Sequence, residues 1–152
     1  MDEYSKTNVD SVYAVGDITN RMALTPVALY EAGAVAKTLF NNDPSKAEHD
    51  YIATAVFSQP NIGTCGFSEA AALEKFGDID VYTSSFKPMR NGFSGNETRG
   101  FYKIIVDATS DRVVGMHIMG PDSGEIMQVR SCCQLHRAVH LIALAARTGR
   151  CN

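Results

Sequence analysis

Two apolar runs, FYKIIV (residues 101–106) and VVGMHIM (residues 113–119), are joined only by DATSDR, and this spacing limits the topology more than any other feature of the sequence. It suits an antiparallel hairpin with a loop slightly longer than the tightest type. VYTSSF (residues 81–86) reads as a third strand, and residues 52–57 as a fourth that runs into a loop at Pro60. Between these strands Ser68 is placed to cap a helix EAAALEKF that stops at Gly77. After Met119, Asp122 as N-cap with Glu125 three residues on forms a capping box and predicts another helix. From about Tyr51 the chain therefore reads as an antiparallel α+β unit.

The first 45 residues follow a different pattern. SVYAVGD reads as a short buried strand of the parallel kind, because a continuous apolar run ends in Gly16. A helix follows, with Thr25 as N-cap, Pro26 at its first position, and Ala28, Ala32, Val35 and Leu39 along one face. NNDP (residues 41–44) ends it. In an open α/β sheet ligands sit beyond the carboxyl ends of the strands. There Gly16 would let backbone approach a ligand, the Asp17 carboxylate would accept hydrogen bonds from hydroxyls, and the helix start at Thr25 would present free N–H groups. Taken singly, GD is a turn and TP a helix start; together, with a strand before and a helix after, they shift the balance towards a ligand site, Asp17 suited to a polyol and the helix start to an anionic or electron-rich ring.

Composition excludes several classes. At 152 residues, 45% hydrophobic and 20% charged, the chain is neither disordered nor membrane-spanning, and its polar, acidic start is no signal or transit peptide. One of its four cysteines, Cys65, lies before residue 129, which argues against a disulfide framework and for a reducing compartment. Residues 129–152 hold four arginines, three cysteines and no acid, so that this segment carries +4 and the remainder −7. Cys132, Cys133, His136 and His140 could be imagined around zinc, but the spacing matches no structural zinc pattern. The arginines lack the interleaved aromatics of a nucleic-acid surface, so neither a metal nor a nucleic acid is expected. His117 reads as a structural histidine and Cys65 as a small buried hydrophobe. KPMRNGFSG reads as a surface or interface loop, and Met116, Met119 and Met127 as apolar packing at a subunit interface.

The phrases VYAVGDITN and LTPVAL, within residues 4–40, resemble the segment of glutathione reductases and related FAD-dependent disulfide reductases in which the chain returns to the FAD domain. ATAVFSQPNIGTCGFSEAAA, SSFKPMRNGFSG and GMHIMGPDSGEIMQ are similar to the dimerisation domain of the same family. The resemblance implies that residues 1–45 end an FAD-binding domain and that residues 50–128 form a dimerisation domain. It also implies that Asp17, behind Gly16, holds the flavin ribityl chain, and that Leu24, Thr25 and the Pro26 helix start contact the isoalloxazine. The implied parent is an NADPH-dependent, FAD-containing homodimer that reduces glutathione disulfide, cytoplasmic or organellar, with no membrane and no nucleic-acid partner.

The chemistry of that parent needs further residues, and this sequence lacks them. It has no cysteine pair four residues apart, no glycine-rich dinucleotide fingerprint, and no His-Glu acid/base phrase. No catalytic residue is therefore assigned, and the chain is expected to act as a fragment supplying flavin contacts and a dimer interface. The alternative is a stand-alone dimerisation or binding module. Residues 129–152 carry none of the family phrases quoted above and are expected to be divergent; the abrupt change at Gln128 is what a shifted reading frame or a chimeric join would produce.

Overall fold

In a computed structural model, residues 1–134 are described, with side chains to residue 128. The segment read as a divergent tail, with Cys132, Cys133, His136 and His140, thus has its side chains outside the described residues. The chain divides into two units, the first Met1–His49 and the second starting at Asp50.

The second unit is built on the expected hairpin. Strands β1 (Thr54–Val56), β2 (Ile62–Gly66), β3 (Ile79–Phe86), β4 (Gly100–Asp107) and β5 (Arg112–Met119) form one sheet in the order β1-β2-β5-β4-β3, with every pairing antiparallel. The α+β expectation holds here. β2 is an addition: the two glycines of IGTCG offset the β-branched Ile62 and Thr64, so its propensity is weak, and pairing with β5 makes it a strand.

Side-chain alternation along β4 divides the core between the two faces. Ile104 and Val106 pack with Cys65, Met116, Ile118 and Met127, the last from helix α4 (Ser123–Gln134). Ile105 packs with Val114 and with Ala72 of helix α2 (Glu69–Phe76). A bulge makes the second cluster possible. Ile105 pairs with Gly115 but Val106 with Val113, so Val114 is the unopposed residue and turns to the α2 side. Helix α2 is capped as its sequence predicts, Ser68 Oγ accepting from the Ala71 N–H and Gly77 ending it at φ +82°.

Several expectations need correction. Asp122 stands at the expected cap position directly before α4, its C=O accepting the Ile126 N–H at 3.0 Å, but its φ of +59° is outside the extended cap conformation and its carboxylate meets Arg90 at 3.3 Å instead. KPMRNGFSG contains a short helix, α3 (Met89–Ser94), fixed by buried Asn91, whose Nδ2 donates to Thr98 O at 2.8 Å. Met116 and Met127 are core residues, 6% and 0% exposed, and Met119 alone of the three methionines reaches the surface substantially.

The first unit also departs from the expected pattern. SVYAVGD is not a strand; Tyr13 makes a single antiparallel bridge with Lys6, and Val12 is exposed. A parallel strand is held by neighbours on its flanks, and among the described residues of this unit there is none. Helix α1 runs Thr25–Phe40, with Leu24 rather than Thr25 at the N-cap, and no side chain caps this end. Its buried face is Val27, Glu31 and Ala34, one position off the stripe read from sequence, and Leu39 is exposed.

Candidate functional site

Gly16 opens a single 3-10 turn, Gly16–Thr19, that packs against α1. Two features require glycine there. Its φ is +74°, and a Cβ would stand 3.2 Å from the Ala28 Cβ of the helix. The turn is closed by Thr19 Oγ1 donating to Gly16 O at 2.7 Å and by Asn20 N donating to Asp17 O at 3.1 Å. Asp17 is exposed, its side chain free of any duty in closing the turn. The structure thus brings Gly16 and Asp17 together on α1, while Leu24, Thr25 and Pro26 form the start of that same helix.

The group that anchors this turn was not read from the sequence. Glu31 is 1% exposed, and its Oε2 accepts the Gly16 N–H at 2.6 Å. Oε1 lies 2.7 Å from His49 Nε2 and 3.5 Å from Arg21 Nη1. An ionised carboxylate only accepts, so His49 Nε2 carries the hydrogen of that bond. Burial pushes the Glu31 carboxyl up, but the Gly16 N–H, the His49 ring and the Arg21 guanidinium together outweigh it and hold it below the ordinary 4.5. Arg21 also reaches back to Asp2 O at 3.1 Å and to buried Ser5 Oγ at 3.3 Å, tying the N-terminal segment to the same carboxylate. The signal was available in sequence: Glu31 stands four residues after Val27 and three before Ala34, an acid in the middle of an apolar stripe.

Elsewhere the candidate residues are structural. Cys65 is 2% exposed, its thiol donates to Tyr51 O at 3.0 Å, and burial pushes its pKa up to about 11. His117 Nε2 lies 3.1 Å from Phe67 O, which makes it the satisfied histidine expected. Among the described residues no group of three or more His, Cys, Asp or Glu is placed to hold a metal ion. No described helix is long and apolar enough to cross a membrane. A cavity of about 280 Å³ opens in the second unit beside the tilted Phe86–Tyr102 pair, and its charged lining residues, Arg90 and Asp122, are paired with each other.

Residues 52–141 match the family described as pyridine nucleotide-disulphide oxidoreductase, dimerisation domain, a stretch that includes all five strands and runs past Gln128. The chain belongs to this family. Within it, the chain is 52% identical over 128 residues to the glutathione reductase, chloroplastic/mitochondrial, of Pisum sativum, covering 84% of this chain and 23% of that protein. It is 45% identical over 134 residues to the trypanothione reductase of Trypanosoma congolense, covering 88% and 27%. The solved structure of the HOCl-induced flavoprotein disulfide reductase RclA from Escherichia coli superposes with a TM-score of 0.75 at 26% identity, covering 88% of this chain and 31% of that one. The chain spans about a quarter of the length of the curated relatives it matches. The sheet from β1 to β5 is thus a dimerisation domain of the glutathione and trypanothione reductase type.

Proposed function

We propose that this chain supplies part of a flavin site and the subunit interface of an NADPH-dependent, FAD-containing reductase whose substrate is glutathione disulfide or a close relative. In that reaction NADPH, a proton and the disulfide give NADP⁺ and two thiols. The chemistry supplied by a bound FAD is acceptance of a hydride and delivery of the electron pair to a disulfide. The residues of this chain hold and orient the group.

The observation that carries this reading is the exposed Asp17 carboxylate on a glycine turn packed against a 16-residue helix whose N-terminus has no side-chain cap. The fit is chemical. Asp17 is free to accept from ribityl hydroxyls, Gly16 leaves the turn flush with the helix, and the start of α1 at Leu24, Thr25 and Pro26 offers a positive dipole end to the flavin ring. In the second unit, Phe57, Met89 and Phe93 are 83%, 89% and 97% exposed, which supports a protein partner, a second copy of this chain. The sequence holds no C-x4-C pair and no His-Glu phrase, so the 152-residue chain alone is expected to turn over no disulfide.

The test is a titration of the chain with FAD, followed by flavin fluorescence, alongside Asp17→Asn. Loss of charge-assisted bonds to the ribityl chain is expected to weaken binding by about tenfold or more. Equal affinity of the two proteins for FAD would remove Asp17 from the site.

A further inference from the structure

The buried Glu31 carboxylate carries an inference that rests on the flavin reading of the Gly16–Asp17 turn. We propose that Glu31 is a positioning residue: it anchors the turn through the Gly16 N–H and so sets where the Asp17 carboxylate stands for the flavin. The bond is the shortest polar contact of the turn, 2.6 Å, and it is buried. It is also the contact that fixes the residue immediately before Asp17. The remaining bonds of the turn, from Thr19 and Asn20, close it upon itself and do not tie it to the helix.

Geometry suits Glu31 to this duty. The side chain rises from the middle of α1, where intrahelical bonds satisfy the backbone, and its neighbours Val27 and Ala34 are buried. Both carboxylate oxygens are engaged. Oε2 takes the turn, while Oε1 faces His49 Nε2 and the Arg21 guanidinium, one from each side of the helix in sequence. The His49 bond and the nearby Arg21 guanidinium occupy Oε1 and favour the ionised carboxylate, which leaves Oε2 to Gly16 as an acceptor. The flavin turn is thereby linked to His49, the last residue of the first unit, through one side chain.

A role in packing alone and a role in positioning give different results for Glu31→Gln, which keeps the shape and an acceptor oxygen but removes the charge. The experiment is amide hydrogen exchange and ¹⁵N–¹H spectra of the full 152-residue chain, with FAD titration of the same samples. In the unaltered chain the Gly16 amide is expected downfield and protected. Glu31→Gln should move it upfield, speed its exchange by about tenfold, and weaken FAD binding by a similar factor, with the β4 and β5 amides unchanged. Asp17→Asn should weaken FAD binding while leaving Gly16 exchange as it was. Unchanged Gly16 shift and exchange in Glu31→Gln would overturn the inference whatever FAD does. Loosening of Gly16 without loss of FAD affinity would also overturn it. Should Asp17→Asn bind FAD as well as the unaltered chain, or should neither bind it, the flavin reading itself fails. In that case the Gly16 amide still reports whether Glu31 holds the turn. A Glu31→Asp variant guards against misfolding: it keeps the charge but not the reach, and should loosen Gly16 while leaving the rest of the spectrum in place.

Discussion

Gly63 in β2 is where the sheet admits helix α4, and Gly63→Ala tests that packing directly. A Cβ at this position would lie 2.5 Å from Ser123 O, 2.9 Å from Ser123 C and 3.1 Å from Met127 Cβ. Two of the three atoms are backbone, so no side-chain rotation relieves the overlap. The start of α4 must retreat by roughly 0.5–1 Å, and a gap of that size forfeits about a quarter to a half of each dispersion contact it opens. Ser123 and Met127 are both 0% exposed, and Met127 closes the cluster with Cys65, Met116 and Ile118. Overpacking of this kind costs about 1–3 kcal/mol, and for a domain of this size each kcal/mol lowers the melting midpoint by about 4–8 °C. A fall of roughly 10 °C is expected in a melt followed by far-ultraviolet circular dichroism. The comparison is Gly33→Ala, on the exposed side of α1, where a Cβ meets nothing within 4 Å. That change should leave the melt alone or raise it, since alanine is favoured over glycine in a helix by about 1 kcal/mol. If Gly63→Ala melts within about 2 °C of the unaltered chain, α4 does not rest on β2 as described, because about a fifth of the expected cost would then be the whole effect.

Other outcomes follow from the charged and sulfur groups. The Glu31 pKa is lowered on folding, so its contribution is fully present above the unfolded value and is lost as pH falls through the folded one. The first unit should therefore lose stability below about pH 4.5, less steeply in Glu31→Gln, and a flat acid limb for the unaltered chain would contradict this. Asp107 adds the same sign in the second unit, its carboxyl held down mainly by the Ser110 hydroxyl and also by the Thr109 and Ser110 amides; Asp107→Asn should flatten the acid limb of that unit's melt. With Cys132, Cys133 and Cys151 replaced by serine, Cys65 should react with an aromatic disulfide reagent at pH 8 about two orders of magnitude more slowly in the folded chain than in urea. Equal rates would show that the thiol is neither buried nor raised to about 11.

The second unit was legible because its signals are local. Ser68 and Gly77 frame α2, and the DATSDR loop fixes the β4–β5 hairpin; the continuous apolar run IIV did not reveal which residue faces which helix. β2 escaped notice since the glycines of IGTCG weaken its strand signal and it is held as a strand by pairing. The bulge at Val114 escaped for a related reason: a register slip leaves no mark on composition. In the first unit the apolar run of SVYAVGD carried the correct position of the Gly16 turn but the wrong backbone, because run length does not reveal whether flanking strands are there to pair with it. The α1 stripe was read one residue out, onto Ala28 and Ala32, since alanine hardly distinguishes a buried face from an exposed one. That displacement hid Glu31, whose carboxylate is buried only because Gly16, Arg21 and His49 converge on it.

The central claim, that this chain is a subunit-pairing module carrying a flavin-binding turn, is tested most directly by sedimentation equilibrium of the full chain over a range of concentrations. A specific interface of this kind buries more than about 1,000 Å², enough for a stable pair. The account predicts a species of twice 16.5 kDa that persists on dilution. A single species of 16.5 kDa at every concentration would contradict it.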